Sequence, residues 1–191
     1  MAAAQRRGRE ILAATKLSRT LPKPWRMKPG DIAEGKNCGD CGLCCKLIGV
    51  ESIQKPQFTW CRHFKKTAGC GVYEDRPHDC RAFICYWLHV PNLGDEWRPD
   101  RTGFVMHIAD GGTRLNIEVD PINPQAWKAE PFYSTFKTWA AKGNARGLAL
   151  LVWVGRRCFE ITPDGHIDRG MLRATTRQRG KSAKAPAVVQ R

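Results

Sequence analysis

The chemistry-bearing residues of this chain are its cysteines. There are nine in all, eight of them between Cys38 and Cys85, and four fall in the run Cys38-Gly-Asp-Cys41-Gly-Leu-Cys44-Cys45. Such density has no packing rationale. Thiolates are soft anionic ligands, and three or four within one short run suit a soft metal ion or an iron-sulfur cluster. Cys38, Cys41 and Cys44 follow the Cys-x2-Cys-x2-Cys step that wraps one iron-sulfur cube, with a fourth ligand arriving from further along the chain. A zinc ribbon would show a second Cys-x2-Cys knuckle downstream. Here Cys61, Cys70, Cys80 and Cys85 come singly instead.

Disulfides are the competing use of these thiols, and they need an oxidising compartment. The N-terminus opens with charge and never reaches the apolar core of a secretory signal. No stretch approaches the roughly 18 apolar residues of a membrane span. The expectation is therefore a cytoplasmic protein without a membrane span, whose thiols stay reduced unless metal claims them. The cofactor expected is zinc or iron, with an iron-sulfur cluster as one form, in one or two sites. Adjacent side chains diverge in extended backbone, so the Cys44-Cys45 doublet feeds two neighbouring sites, or one site and a nearby free thiol. His63, His78 and His89 are candidate nitrogen ligands by position alone; an ordinary surface or core histidine is the plainer reading of each.

The surroundings suit a loop-rich metal module. Gly39, Gly42, Gly69 and Gly71 flank cysteines and allow tight turns. In Arg76-Pro77-His78-Asp79-Cys80-Arg81-Ala82-Phe83-Ile84-Cys85 the proline favours helix entry, which would project Cys80 and Cys85 from a short helix or turn. Arg76 and Arg81 offset thiolate charge, or make ordinary ion pairs with nearby acids. The ordered set Cys38-x2-Cys41-x2-Cys44-Cys45, Cys61, Gly-Cys70-Gly-Val-Tyr, Arg76-Pro77-x2-Cys80-Arg81-x3-Cys85 resembles the YkgJ-like CxxCxxCC family, over about residues 36 to 90. What the resemblance implies is a zinc- or iron-chelating domain with no single established activity. Some related proteins with such a motif look like lysine N-methylases of flagellin; this chain is far shorter, and that activity does not carry over. The expected ligand group is Cys38, Cys41, Cys44, Cys45, Cys61, Cys70, Cys80 and Cys85.

The elements that must position this group follow from the rest of the chain. Its 191 residues, 42% apolar with seven tryptophans, suffice for one domain with a real core. The net charge of +14 sits at the ends. Residues 1–36 carry nine Lys/Arg against three acids and residues 169–191 carry seven against none, while the middle has sixteen against fifteen. The expected organisation is a basic N-terminal arm (1–36), a cysteine module (37–90), an α+β unit completing one compact domain (91–168) and a disordered basic tail (169–191). The arm contains a short apolar-basic segment, Ile11 to Leu21, of helical character.

Within 91–168 the segments Gly103 to Ile108 and Thr113 to Val119 flank the turn Ala109-Asp-Gly-Gly112, a hairpin signal. Glu130 to Lys142 has apolar residues at three- and four-residue steps and reads as a helix stopped by Gly143-Asn144. Leu148 to Val154 and Cys158 to Ile161 form a second hairpin about Gly155-Arg-Arg157, and Pro163-Asp-Gly165 turns the chain again. The fold class expected is α+β: a small loop-rich cysteine module packed with a unit of two β-hairpins and one helix. That unit has no Gly-rich phosphate loop, two-histidine metalloprotease motif or nucleophile elbow. Asp110, Asp120 and Glu118 form a candidate carboxylate cluster, though the first two read better as turn and strand-end residues. Cys158 reads as a packed small hydrophobe.

Three functions follow as expectations. The first is a metal-binding protein that chelates zinc or iron through the cysteine cluster and recruits an unidentified protein partner. The second is a cluster-dependent oxidoreductase or modifying enzyme, with a spare thiol such as Cys45 leaving an open coordination position. The third is a zinc protein that contacts nucleic acid through its basic tails. No residue type or spacing assigns a catalytic role.

Overall fold

The structure is a computed structural model that describes residues 31–171 except Ile84. Residues 1–30 of the basic arm, with the segment Ile11 to Leu21, and residues 172–191 of the tail lie outside the described residues. The fold is mixed α+β: a five-stranded sheet, a two-stranded hairpin and several short helices.

In the cysteine module, α1 (Leu43–Leu47) is followed by β1 (Phe64–Lys65) and β2 (Gly69–Cys70), then α2 (His78–Ala82) and α3 (Tyr86–His89). The sheet unit adds α4 (Pro99–Thr102), β3 (Phe104–Ala109), β4 (Arg114–Val119), α5 (Phe132–Asn144), β5 (Ala149–Val154), β6 (Arg157–Thr162) and β7 (Gly165–Met171). Both expected hairpins form, β3 with β4 and β5 with β6, each antiparallel. They do not stand apart. β4 and β5 pair in parallel, Arg114 opposite Ala149 through Val119 opposite Val154, and α5 is the crossover between them. β7 pairs with β6 and extends to Met171, beyond the expected boundary at 168. The helix also runs further than its stop signal, because Gly143 is buried inside it and Leu148 closes over that turn, its N–H donating to the Gly143 carbonyl at 3.0 Å.

Strand alternation gives the sheet two different faces. On one, Phe104, Met106, Leu115, Ile117, Val119, Leu150, Val152 and Ile161 join the main core. There α5 contributes Phe136, Trp139 and Ala140, and Trp97 stacks on Trp139 with ring centroids 5.3 Å apart. Each fully buried large side chain of this kind stabilises by about 1.5–3 kcal/mol. The core extends into the cysteine module through Tyr86, Trp87, Leu88 and Val90, so module and sheet share one interior.

The other face receives the module directly. Leu43 and Leu47 of α1 pack on Val105. The Lys46 ammonium pairs with the Asp120 carboxylate at 2.6 Å at the end of β4, which gives Asp120 an ion-pairing role besides ending the strand. Cys85 makes a single bridge to His107 of β3. Arg98, ahead of α4, pairs with Asp40 between the first two cysteines. No helix among the described residues is long and apolar enough to cross a membrane.

Candidate metal centre

The eight cysteines between Cys38 and Cys85 all line one cavity of about 100 Å³, together with His63, Tyr73 and Arg76. They reach it from six local structures. Cys38 and Cys41 sit in a turn closed by the Cys41 N–H donating to the Cys38 carbonyl at 2.9 Å. Cys44 and Cys45 lie on α1 rather than in extended backbone; a helix separates neighbours by about a quarter-turn, so the doublet still diverges. The Cys61 N–H donates to the Cys45 carbonyl at 3.0 Å, which fixes that loop beside α1. Cys70 stands on β2 opposite Phe64. Cys80 is on α2, the short helix expected after Arg76-Pro77, while Cys85 lies beyond it and precedes a second short helix, α3.

Two glycines make this convergence sterically feasible. A Cβ at Gly42 would lie 1.8 Å from the Phe64 ring, and one at Gly69, where φ is +72°, would lie 2.1 Å from the Gly39 carbonyl oxygen. The β1-β2 hairpin therefore closes down on the Cys38–Cys45 run only because neither position bears a side chain. Two lysines brace the run from outside. The Lys36 ammonium donates to the carbonyls of Trp87, Val90 and Leu93, and that of Lys55 to the carbonyls of Lys46, Ile48 and Pro56.

All nine cysteines are free thiols. Burial opposes the ionisation of several of them. Burial raises Cys38, Cys41 and Cys80, and it pushes Cys85 up to about 12. The doublet splits. Cys44 donates its S–H to Cys45 and is raised well above the ordinary thiol value, while Cys45, accepting that bond near the Lys55 and Arg76 charges, falls to about 7. The thiols interact electrostatically around the cavity: Cys85 with Cys38 and Cys41, Cys44 with Cys45, Cys85 and Cys38, and Cys80 with Cys45, Cys61 and Cys70. Cys38 in turn interacts with Cys45 and Cys70.

Among the described residues no three His, Cys, Asp or Glu side chains form a ready-made ligand group for a single ion. The thiols instead surround a common space. The donor set fits a soft metal or cluster: eight sulfurs and few competing hard oxygens face one half-buried cavity. Of the candidate histidines only His63 lines the cavity. His78 is an exposed residue on α2, and His89 is buried on α3 with its basicity lowered by burial. Cys158 is buried on β6, away from the group, as its sequence setting suggested.

Of the expected carboxylate cluster, Glu118 lines a large cleft. Asp110 pairs with Arg114 at 2.7 Å, and Asp120 with Lys46. Sequence reasoning missed the partners of Glu118, His107 and Trp153, which come from β3 and β5; only the parallel β4-β5 pairing brings all three together. Comparison of the chain with protein-family models, characterised proteins and solved structures returned no match.

Proposed function

We propose that this protein chelates zinc or iron, iron in the form of an iron-sulfur cluster included, through its clustered cysteines, as a cytoplasmic metal-binding protein of the CxxCxxCC type. One observation carries the reading: eight thiols from separate loops, strands and helices all line a single cavity. The neighbour relations support two adjoining ligand sets, Cys38, Cys41, Cys44 and Cys85 in one, and Cys45, Cys61, Cys70 and Cys80 in the other. The Cys44-Cys45 doublet then gives one thiol to each. Bound metal would supply charge neutralisation and cross-linking of loops that otherwise hold mutually repelling sulfurs.

The test is anaerobic purification with metal analysis of the whole chain and of two variants, Cys85→Ser and Cys80→Ser. Each variant is expected to lose about half of the bound metal while keeping the remainder. Metal content unchanged in both variants refutes the ligand assignment. A second reading, a cluster-dependent oxidoreductase or modifying enzyme, is favoured by the large cleft that shares a wall with the thiol cavity. A protein partner is part of the first reading, and nucleic-acid contact through the basic ends remains a third proposal, resting on their charge.

A further inference from the structure

The sheet face opposite the main core carries a second polar site. β3, β4 and β5 place His107, Asn116, Glu118 and Trp153 together there, His107 opposite Asn116 and Trp153 opposite Glu118. Two diagonal contacts lock them. His107 Nε2 stands 3.4 Å from Glu118 Oε1, and Trp153 Nε1 donates to Asn116 Oδ1 at 3.3 Å. All four border an open cleft of about 850 Å³ whose opposite wall is the module segment Ile48 to Glu51 with Lys55. Glu118 is only 3% exposed and Asn116 7%.

Polar groups withdrawn this far from water on a sheet face are costly unless they serve a partner or one another. Here the diagonal contacts hold their geometry fixed, which is the preorganisation a ligand site needs. The charge of the cleft indicates the ligand. Glu51, Asp79 and Glu118 stand against Lys55 and Arg156, a negative balance within a chain of net charge +14. Lys55 keeps its positive charge, but its three donors are spent on three backbone carbonyls, so it has no N–H left to donate to an anionic ligand. Arg156 is an exposed residue at the rim. The deepest charge in the cleft is thus a carboxylate, with the aromatic side chains of Trp153 and Phe83 also in the lining.

We propose that this cleft binds a small organic cation, a protonated alkylammonium or alkylguanidinium group, with the Glu118 carboxylate as counter-ion, Asn116 and His107 fixing its position and Trp153 offering an aromatic surface. The cleft and the thiol cavity share Ile48, Gly49, Val50, Lys55, Asp79 and Phe83, so the cation lies against the wall of the candidate metal centre. The inference does not rest on the metal reading, and its failure leaves that reading untouched.

The experiment is calorimetric titration of the whole chain with n-propylguanidinium and n-butylammonium, against neutral n-propylurea and n-butanol. Saturable binding of the cations at least about tenfold tighter than of the neutral isosteres is expected, with Glu118→Gln weakening it by roughly 10- to 100-fold. Because Glu118 is buried and its replacement can disturb folding, the indole N–H resonance of Trp153 is followed in the unaltered protein, where it shifts along the same saturation curve. Equal binding of the urea, an unchanged affinity in a folded Glu118→Gln, an unmoved Trp153 resonance, or no saturable binding of either cation overturns the proposal.

Discussion

Replacing Gly42 by alanine tests how the cysteine run is held against its hairpin. The new Cβ would meet three Phe64 ring carbons at 1.8, 2.4 and 2.6 Å, all closer than real Cβ contacts come. Relief requires the ring to withdraw by more than an ångström. Phe64 is not free to do so cheaply: it stacks on Trp60 with centroids 4.3 Å apart and pairs with Cys70 in the β1-β2 ladder. Overpacking of this kind costs about 1–3 kcal/mol, and a clash this deep places Gly42→Ala at about 3 kcal/mol. The atoms struck all lie beyond the Phe64 Cβ, so Phe64→Ala removes the clash. That single change forfeits the stacking on Trp60 and part of the ring's burial, about 2 kcal/mol. The double variant should therefore be close to Phe64→Ala alone, with a coupling energy of about 3 kcal/mol by chemical denaturation. Additive losses, or a Gly42→Ala variant as stable as the parent, would refute the account of how the hairpin closes on the thiols.

Cys158→Ala should leave metal content unchanged and cost about 1 kcal/mol, measured by parallel metal analysis and denaturation, because Cys158 is 1% exposed on β6 and lies outside the thiol cavity. Stability should fall as pH drops below about 6.5, and be level above it, through His166. Burial first and the Lys128 charge second lower its basicity in the fold, where Tyr133 Oη and His166 Nδ1 are 2.6 Å apart. The unfolded chain therefore takes up the proton first, and His166→Phe should reduce the slope seen in pH-dependent thermal unfolding.

The hairpins and the long helix were legible because each is local: Asp110-Gly-Gly112 turns β3 into β4, and Phe132, Phe136, Trp139 and Ala140 trace one helical face. The single sheet was not, since parallel pairing of β4 with β5 is decided by long-range burial of Leu115, Ile117, Leu150 and Val152. For the same reason the sequence could group the thiols but not say which of them are neighbours. Cys80 and Cys85 are close in sequence, yet α2 turns one toward Cys45, Cys61 and Cys70, and the bridge to His107 sets the other beside Cys38 and Cys41. The cleft was invisible altogether. His107, Glu118 and Trp153 belong to separate strands with unremarkable neighbours in sequence, and only the sheet register makes them a cluster.

The most direct measurement of the central claim is the metal content and absorption spectrum of the intact chain purified anaerobically, with thiol reactivity counted before and after removal of metal. The account predicts at least one equivalent of zinc or iron per chain, and cysteines from Cys38 to Cys85 that resist thiol reagents until the metal is withdrawn. A protein isolated without zinc or iron, all eight of whose clustered thiols react freely in the native state, would contradict it.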